Sequence, residues 1–422
     1  MIYSVPYGKR SLSFHLPDDL PVMMVTPRAV APAPDPIVAV QQALAAPVGG
    51  VRLADFAGAG SAAIAINDKT RPVPHAHLLP PLLAALEDLG LPPANISLII
   101  ATGTHPPMPP AEYAAVLPPD VLARYPVLCH DAAAASDLID LGRTTAGTPV
   151  QINRHFLAAD LRIVVGNIEP HQFQGFSGGV KSAAIGLAGK ETINVNHAMM
   201  THPAARLGRY ADNPARQDVE AIGRMIGVHF ALNAILNHSK QIVEAVAGDP
   251  AAVMAAGIPL ARQIYESPAA QAFDLVIASP GGHPKDLNVY QAQKALNHAA
   301  LITRPGGGIL IAAACTEGSG SPAYEHWMAG MSSHEAVIAR FSAEPFRTGP
   351  HKAFQIARDA VGRSIWWVSD LPVALAQTLL LNPAPDLDTA IAAALAALPP
   401  RPAIAILPWA NTTIPRTMDD GR

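Results

Sequence analysis

Residues Ala62-Ala63-Ile64-Ala65-Ile66 run without interruption into Asn67-Asp68-Lys69-Thr70-Arg71-Pro72. An apolar run this short, closed by turn formers and charges, suits a strand buried on both faces better than a helix. The arrangement recurs. Residues 96–101 run into Thr102-Gly103-Thr104-His105, and residues 162–166 into Asn167-Ile168-Glu169-Pro170-His171. Residues 274–279 run into Pro280-Gly281-Gly282-His283-Pro284-Lys285-Asp286. Alanine-rich helical stretches lie between these runs, which is the pattern of parallel βα units and predicts an α/β fold. In open parallel sheets ligands bind beyond the carboxyl ends of the strands, so all four loops are expected to converge on one site.

Working outward, residues 2–25 read as a small β element with a turn between Pro17 and Pro21, followed by a Pro/Ala-rich connector over 27–36. Helices are expected near 37–46, 80–89, 253–265 and 291–302, and further strands at 228–236 and 308–314. The pattern predicts two α/β domains with mainly parallel sheets and a cleft between them for cofactor and substrate. The first would span residues 1–270 and carry the catalytic histidines. The second would span 271–394 and close over the substrate, with residues 395–422 returning to the first. Residues from about Arg416 onward read as a frayed tail.

Composition excludes several classes. Of 422 residues, 50% are hydrophobic and only 15% charged, enough apolar content for real cores and too much for a disordered chain. A net charge of −4 offers no general attraction for nucleic acid or an anionic membrane. No apolar run reaches the roughly 18 residues of a membrane span, and the N-terminus lacks the apolar core of a signal peptide. The two cysteines, Cys129 and Cys315, are far apart and outside any CxxC spacing, so a reducing cytoplasm is the expected compartment.

The chemistry concentrates in Glu169-Pro170-His171, Gly175-Phe176-Ser177-Gly178-Gly179-Val180-Lys181 and Asn196-His197. Imidazoles move protons near neutral pH or hold transition metals, and a lysine pairs with an anion or forms a covalent link. Gly178 and Gly179 let the backbone approach a ligand closely. Arg71 directly after a buried strand supplies the planar fork that grips carboxylate or phosphate. Gln291 and Lys294 fall on one face of a helix, a spacing that by itself usually marks a solvated surface. His75, His77, His130, His202 and His229 read as structural or surface residues. Two nucleotide motifs fail: Val180 stands where a phosphate loop needs the glycine before its lysine. Gly58-Ala59-Gly60 precedes its strand, the wrong order for a dinucleotide fingerprint.

Taken in order, Asp68-Lys69-Thr70-Arg71-Pro72, Thr102-Gly103-Thr104-His105, Glu169-Pro170-His171, the glycine-rich stretch to Lys181, Asn196-His197, and Tyr290-Gln291 with Lys294 resemble the nickel-dependent lactate racemase family. Gly281-Gly282-His283-Pro284-Lys285-Asp286 and His351-Lys352-Ala353 are also similar to that family. The resemblance implies a racemase or 2-epimerase, an isomerase acting on a 2-hydroxy acid. It implies a nickel-pincer nucleotide, a pyridinium mononucleotide whose two thio-acid arms and ring carbon hold Ni(II). His197 would complete the metal coordination and Lys181 would tether one arm, a bond that need not form in every relative. Asp68, Lys69, Thr70 and Arg71, with Gly178 and Gly179, would contact the cofactor. Arg71, Tyr290, Gln291 and Lys294 would hold the substrate. His105 and His171 would be the paired acid/base groups, because two enantiomers present their hydroxyls to different sides. The implied partners are the small-molecule substrate and the enzymes that synthesise the cofactor.

This chain departs from the pattern twice. Pro106-Pro107 follow His105 where an arginine is common, and Asn67 stands where a second aspartate is frequent. Both changes leave the acid open among lactate, malate, sugar acids and others. Two other classes stay in view: a non-catalytic carrier of the nickel-pincer nucleotide, which needs neither His105 nor His171, and an NAD-type hydroxy acid dehydrogenase.

Overall fold

The structure, a computed structural model, describes residues 1–71 and 73–417; Pro72 of the expected cofactor loop and residues 418–422 of the expected tail lie outside the described residues. The chain divides into two compact units, one of residues 29–264 and one that joins residues 1–28 to 265–422.

The 29–264 unit is built on a six-stranded sheet. Its order is Ile242–Gly248, Phe230–Leu236, Leu161–Asn167, Ala62–Asn67, Ile96–Ala101, Val127–Cys129. Only the pairing of the first two strands is antiparallel. The three central strands expected from sequence are therefore neighbours, and their apolar residues are almost wholly buried, as strands covered on both faces require. Asn67 pairs with Ala101, so the loops that follow these two strands start side by side.

Helix Pro36–Ala45 begins where the sequence places it. Asp35 caps it by accepting from the Ile37 and Val38 amides at 2.8 and 3.2 Å. The helix expected at 80–89 instead spans His75–Asp88 and carries Pro80 and Pro81 inside it. Prolines suit a first turn, but Leu78, Leu79, Leu82, Leu83 and Leu86 are all core residues. That burial outweighs the lost helical hydrogen bonds and draws the start forward by more than a turn.

The other unit holds a second six-stranded sheet, parallel throughout. Its order is Pro383–Ala384, Ser364–Val368, Thr303–Ala312, Phe273–Ala278, Ile404–Leu407, Val22–Met24. Two sequence expectations are corrected here. Residues 1–28 belong to this unit, and Ile404–Leu407 does not return to the first domain. Ile404 pairs with both Leu275 and Val22, a junction of three distant segments that no local pattern announces. The hairpin Ile2–Tyr7 with Arg10–His15 packs Val5, Tyr7 and Phe14 into the same core. The expected tail is shorter than predicted, since Ile414–Thr417 pairs with Glu266–Ala269 and Arg416 donates to Glu266 at 3.0 Å.

Candidate active site

Three of the four polar loops meet in one open pocket of about 820 Å³ in the 29–264 unit. Asp68 and Arg71, Thr102 to His105, Asn167 with Glu169 and His171, and Gly178 with Lys181 and His197 line it. The fourth loop, residues 280–286, follows a strand of the second sheet and so does not leave the same sheet edge. Its aspartate is engaged within its own unit. The buried Asp286 accepts from the amides of Gly8 and Ala314 at 2.6 and 3.2 Å, and Ser279 Oγ donates to the Pro6 carbonyl.

Each loop is held by short-range bonding. The Arg71 amide closes a turn onto the Asp68 carbonyl, and the His105 amide closes another onto that of Thr102. Residues Pro170–His171 and Gly175–Phe176 form a minute hairpin. At Gly175 φ is +72°, and a Cβ would lie 1.6 Å from the Arg209 carbonyl oxygen, so only glycine fits. A Cβ on Gly178 would come within 2.7 Å of Ile168 and 2.9 Å of the Asn167 carbonyl. Gly179 lies buried, its amide donating to Asn233 Oδ1 at 2.7 Å. Arg216 is wholly buried; it donates to the carbonyls of Phe176 and Gly178 at 2.9 and 3.1 Å and pairs with Glu220 at 2.6 Å.

Two aromatic contacts set the histidine spacing. The Phe173 ring lies edge-on to His171 at 4.8 Å and to His197 at 5.0 Å. His197 sits in the last turn of helix Lys190–Ala198, where its Nδ1 is 3.3 Å from Asn196 Oδ1. Asn196 is itself fixed, accepting from Gln174 and donating to the Ala215 carbonyl and to Asp218. Asp218 also accepts from Thr144 and Thr148. A bond from Nδ1–H to Asn196 would leave the lone pair of the neutral ring on Nε2.

Burial and neighbouring charge disfavour the protonated forms of these donors. Burial first, then the charges of Lys181 and Arg71, push the His197 imidazole down to about 3. Burial, reinforced by Arg71 and Arg216 and opposed by Glu169, pushes the Lys181 amine well below its usual range. At neutral pH His197 is thus a lone-pair donor and Lys181 is biased toward the nucleophilic amine. Burial works to raise the Asp68 carboxyl, but hydrogen bonds from His105 and Thr70 outweigh it and hold it below the usual carboxylate range. Among the described residues no three His, Cys, Asp or Glu side chains gather as a metal cage.

The family model described as the lactate racemase N-terminal domain matches residues 7–208, and that of the lactate racemase C-terminal domain matches residues 268–410. The chain is 32% identical to the lactate racemase of Thermoanaerobacterium thermosaccharolyticum over 398 residues, 92% of each chain. It is 31% identical to that of Lactiplantibacillus plantarum over 338 residues, 79% of each. The chain belongs to the lactate racemase family. It is accordingly an isomerase, a racemase. The structure is similar to the lactate racemase apoprotein from T. thermosaccharolyticum, with a TM-score of 0.91 and 29% identity over 99% of this chain and 100% of that one. A protein from Thermotoga maritima, 16% identical with a TM-score of 0.62 over 92% of this chain and 100% of that one, shares the fold.

Within this family fold the remaining sequence candidates separate. Lys69 is exposed and paired with Glu112, and Thr70 turns its hydroxyl to Asp68 at 2.7 Å; neither lines the pocket. Tyr290, Gln291 and Lys294 lie in the second unit, on helix Val289–Ala300, which Asn288 caps. Lys294 Nζ donates to Gln291 Oε1 at 2.8 Å, and Lys352 stands 4.5 Å over the Tyr290 ring. His75, His130 and His229 are structural as expected: the first two bond to main-chain carbonyls of Val116 and Ala188, and the third accepts from the Arg162 amide. Sequence reading missed Phe173, Arg216, Asp218 and Asn233. Arg216 and Glu220 have the i, i+4 spacing of an ordinary surface pair, so nothing local distinguished them. The position of Phe173 between His171 and the glycines was the one available signal.

Proposed function

We propose that the chain interconverts the two configurations of a 2-hydroxy acid with the help of a nickel-pincer nucleotide. The observation that carries this reading is the single pocket lined by Arg71, His105, His171, Lys181 and His197. The donor set fits such a group: one neutral imidazole for a metal already ligated by its cofactor, an amine beside it whose burial disfavours its charge, and Arg71 for an anionic arm or carboxylate. When bound, the cofactor supplies the hydride chemistry, taking up the substrate's α-hydrogen and giving it back.

The chain supplies the rest. His197 would hold the metal, and Lys181 the cofactor, covalently or through hydrogen bonds. Arg71 would hold an anionic group in the pocket; Gln291 and Lys294, already bonded to each other, offer an amide and a cation for the substrate carboxylate. His105 takes the hydroxyl proton of one enantiomer and His171 that of the other. In each direction one histidine accepts the hydroxyl proton, and the other donates a proton to the oxygen when the α-hydrogen returns on the opposite face. Both relatives are named for lactate. Pro106-Pro107 and Asn67 in this chain leave lactate itself open, and the proposal is a 2-hydroxy acid of unassigned side chain.

Protein made together with cofactor-synthesis enzymes is expected to carry nickel near one per chain. It should invert at least one member of a panel of chiral 2-hydroxy acids in deuterated water without solvent deuterium reaching the α-carbon. Replacing either His105 or His171 with alanine is expected to lower inversion by ~100- to 10,000-fold, while His197→Ala lowers nickel content. Full inversion by either of the first two variants defeats the two-base scheme, and deuterium wash-in defeats internal hydride return.

A further inference from the structure

We propose that Asp68 and Thr70 serve His105 and not the cofactor: they fix its ring and place a negative charge behind it, so that its outer nitrogen is the base for one enantiomer. This rests on the racemase reading and adds to it a positioning device for one of its two histidines.

The geometry follows from the sheet. Asn67 and Ala101 are paired, so Asp68 and Thr102 leave adjacent strands together. The turn from Thr102 to His105 then brings the imidazole back over the neighbouring loop. Asp68 is 3% exposed, and both its carboxylate oxygens are engaged within the protein. Oδ2 is 2.7 Å from His105 Nδ1, while Oδ1 accepts from the Thr70 hydroxyl at 2.7 Å and the Thr70 amide at 3.1 Å. An ionised carboxylate can only accept, so Nδ1 carries the hydrogen and the neutral ring keeps its lone pair on Nε2. The ring is 44% exposed at its side chain and lines the pocket, so Nε2 is the nitrogen available to a substrate hydroxyl. When Nε2 takes that proton, the new positive charge forms beside a carboxylate held in place by Thr70. His171 is fixed in another way, its Nδ1 accepting from the Gln174 amide at 3.3 Å. Arg71, Glu169, Lys181, His171 and His197 line the same pocket and are left unchanged by the variants below.

The test compares Asp68→Asn, Asp68→Glu and Thr70→Val with the parent chain, all made with the cofactor-synthesis enzymes. Asp68→Asn is expected to keep its nickel, to lose ~100- to 10,000-fold in kcat, and to move one limb of the pH–rate profile to lower pH. Asp68→Glu should restore part of the rate and return the limb toward its place. Thr70→Val should keep nickel and show a smaller loss, because the carboxylate is looser but present. Nitrogen-15 chemical shifts of the cofactor-free protein give a readout independent of activity: His105 is expected as the Nδ1–H form in the parent and as a mixture in Asp68→Asn. Nickel lost in Asp68→Asn with the pH limb unmoved, or an Nε2–H ring in the parent, overturns the inference. A parent chain with the Nδ1–H ring but no nickel and no inversion overturns the racemase reading and leaves the Asp68–His105 pair standing.

Discussion

The loop at 67–71 and the loop at 280–286 leave strands of the same kind and meet opposite fates. Both follow a buried apolar parallel strand, and both carry an aspartate and a lysine. Asp68 turns to a histidine on the next loop and borders an open pocket. Asp286 is buried and accepts two main-chain amides, one from the N-terminal hairpin and one from the end of a neighbouring strand. The difference lies in what covers the strand ends. In the second sheet the first residues of the chain fold back over them, and the loop's aspartate bonds to main-chain amides. A strand running into a polar loop therefore marks the carboxyl edge of a sheet, and only the surroundings make that edge a site.

The strongest way to press this comparison is Arg216→Ala. The pocket side rests on a buried cation that holds two carbonyls of the glycine-rich loop and one carboxylate. Removing it leaves Glu220 largely buried without a cation, with the Tyr210 hydroxyl still donating to it, and a loss of ~3–5 kcal/mol is expected in urea unfolding. Changing both members to apolar residues, Arg216→Met with Glu220→Leu, should recover part of that stability but not nickel retention, because the carbonyls of Phe176 and Gly178 still lack their donor. Recovery of both would make the arginine a packing element only.

How far the sequence could be read also divides along this line. The three strands ending at Asn67, Ala101 and Asn167 were legible because each is a short apolar run closed by its own turn chemistry. The residues at their ends were legible because few structural roles need two histidines and a lysine around glycines. The course of residues 1–28 and 404–407 was not, because Val22 finds Ile404 across almost the whole chain and neither segment carries a signal of the other. Arg216 and Asn233 were hidden for a related reason: their partners are main-chain groups of a distant loop, which have no side-chain identity to read.

Acid offers a second comparison, because each unit buries a histidine, His75 among others in the first and His298 in the second, whose imidazole is pushed down to the same value. His75 bonds to the Val116 carbonyl in one unit and His298 to the Thr413 carbonyl in the other. Burial pushes each imidazole from 6.5 down to about 4. Between those values the unfolded ring binds a proton that the folded ring refuses. Stability is therefore full above pH 6.5 and lost as pH falls toward 4, by about 3 kcal/mol for each ring. His75→Asn, which keeps a donor near the Nδ1 position, should remove its share of the loss and leave that of His298. Urea midpoints measured from pH 7.5 to 4 would show this. An undiminished loss in the variant would place the acid sensitivity of the first unit elsewhere.

The smallest expected effect bears most directly on the two loops. Asp286→Ala withdraws the acceptor of the Gly8 and Ala314 amides in a position 1% exposed. A stability loss of ~1–3 kcal/mol is expected, and Asp286→Asn, which keeps one acceptor oxygen, should lose less. At a temperature where both variants are folded, nickel content and the inversion rate should match the parent. The corresponding change at Asp68 is expected to keep nickel but to slow inversion, since its carboxylate faces the His105 ring and not only the main chain. If Asp286→Ala folds as well as the parent yet inverts substrate more slowly, the 280–286 loop joins the reacting machinery. The distinction between a strand end covered by its own chain and one left open to a ligand would then fail.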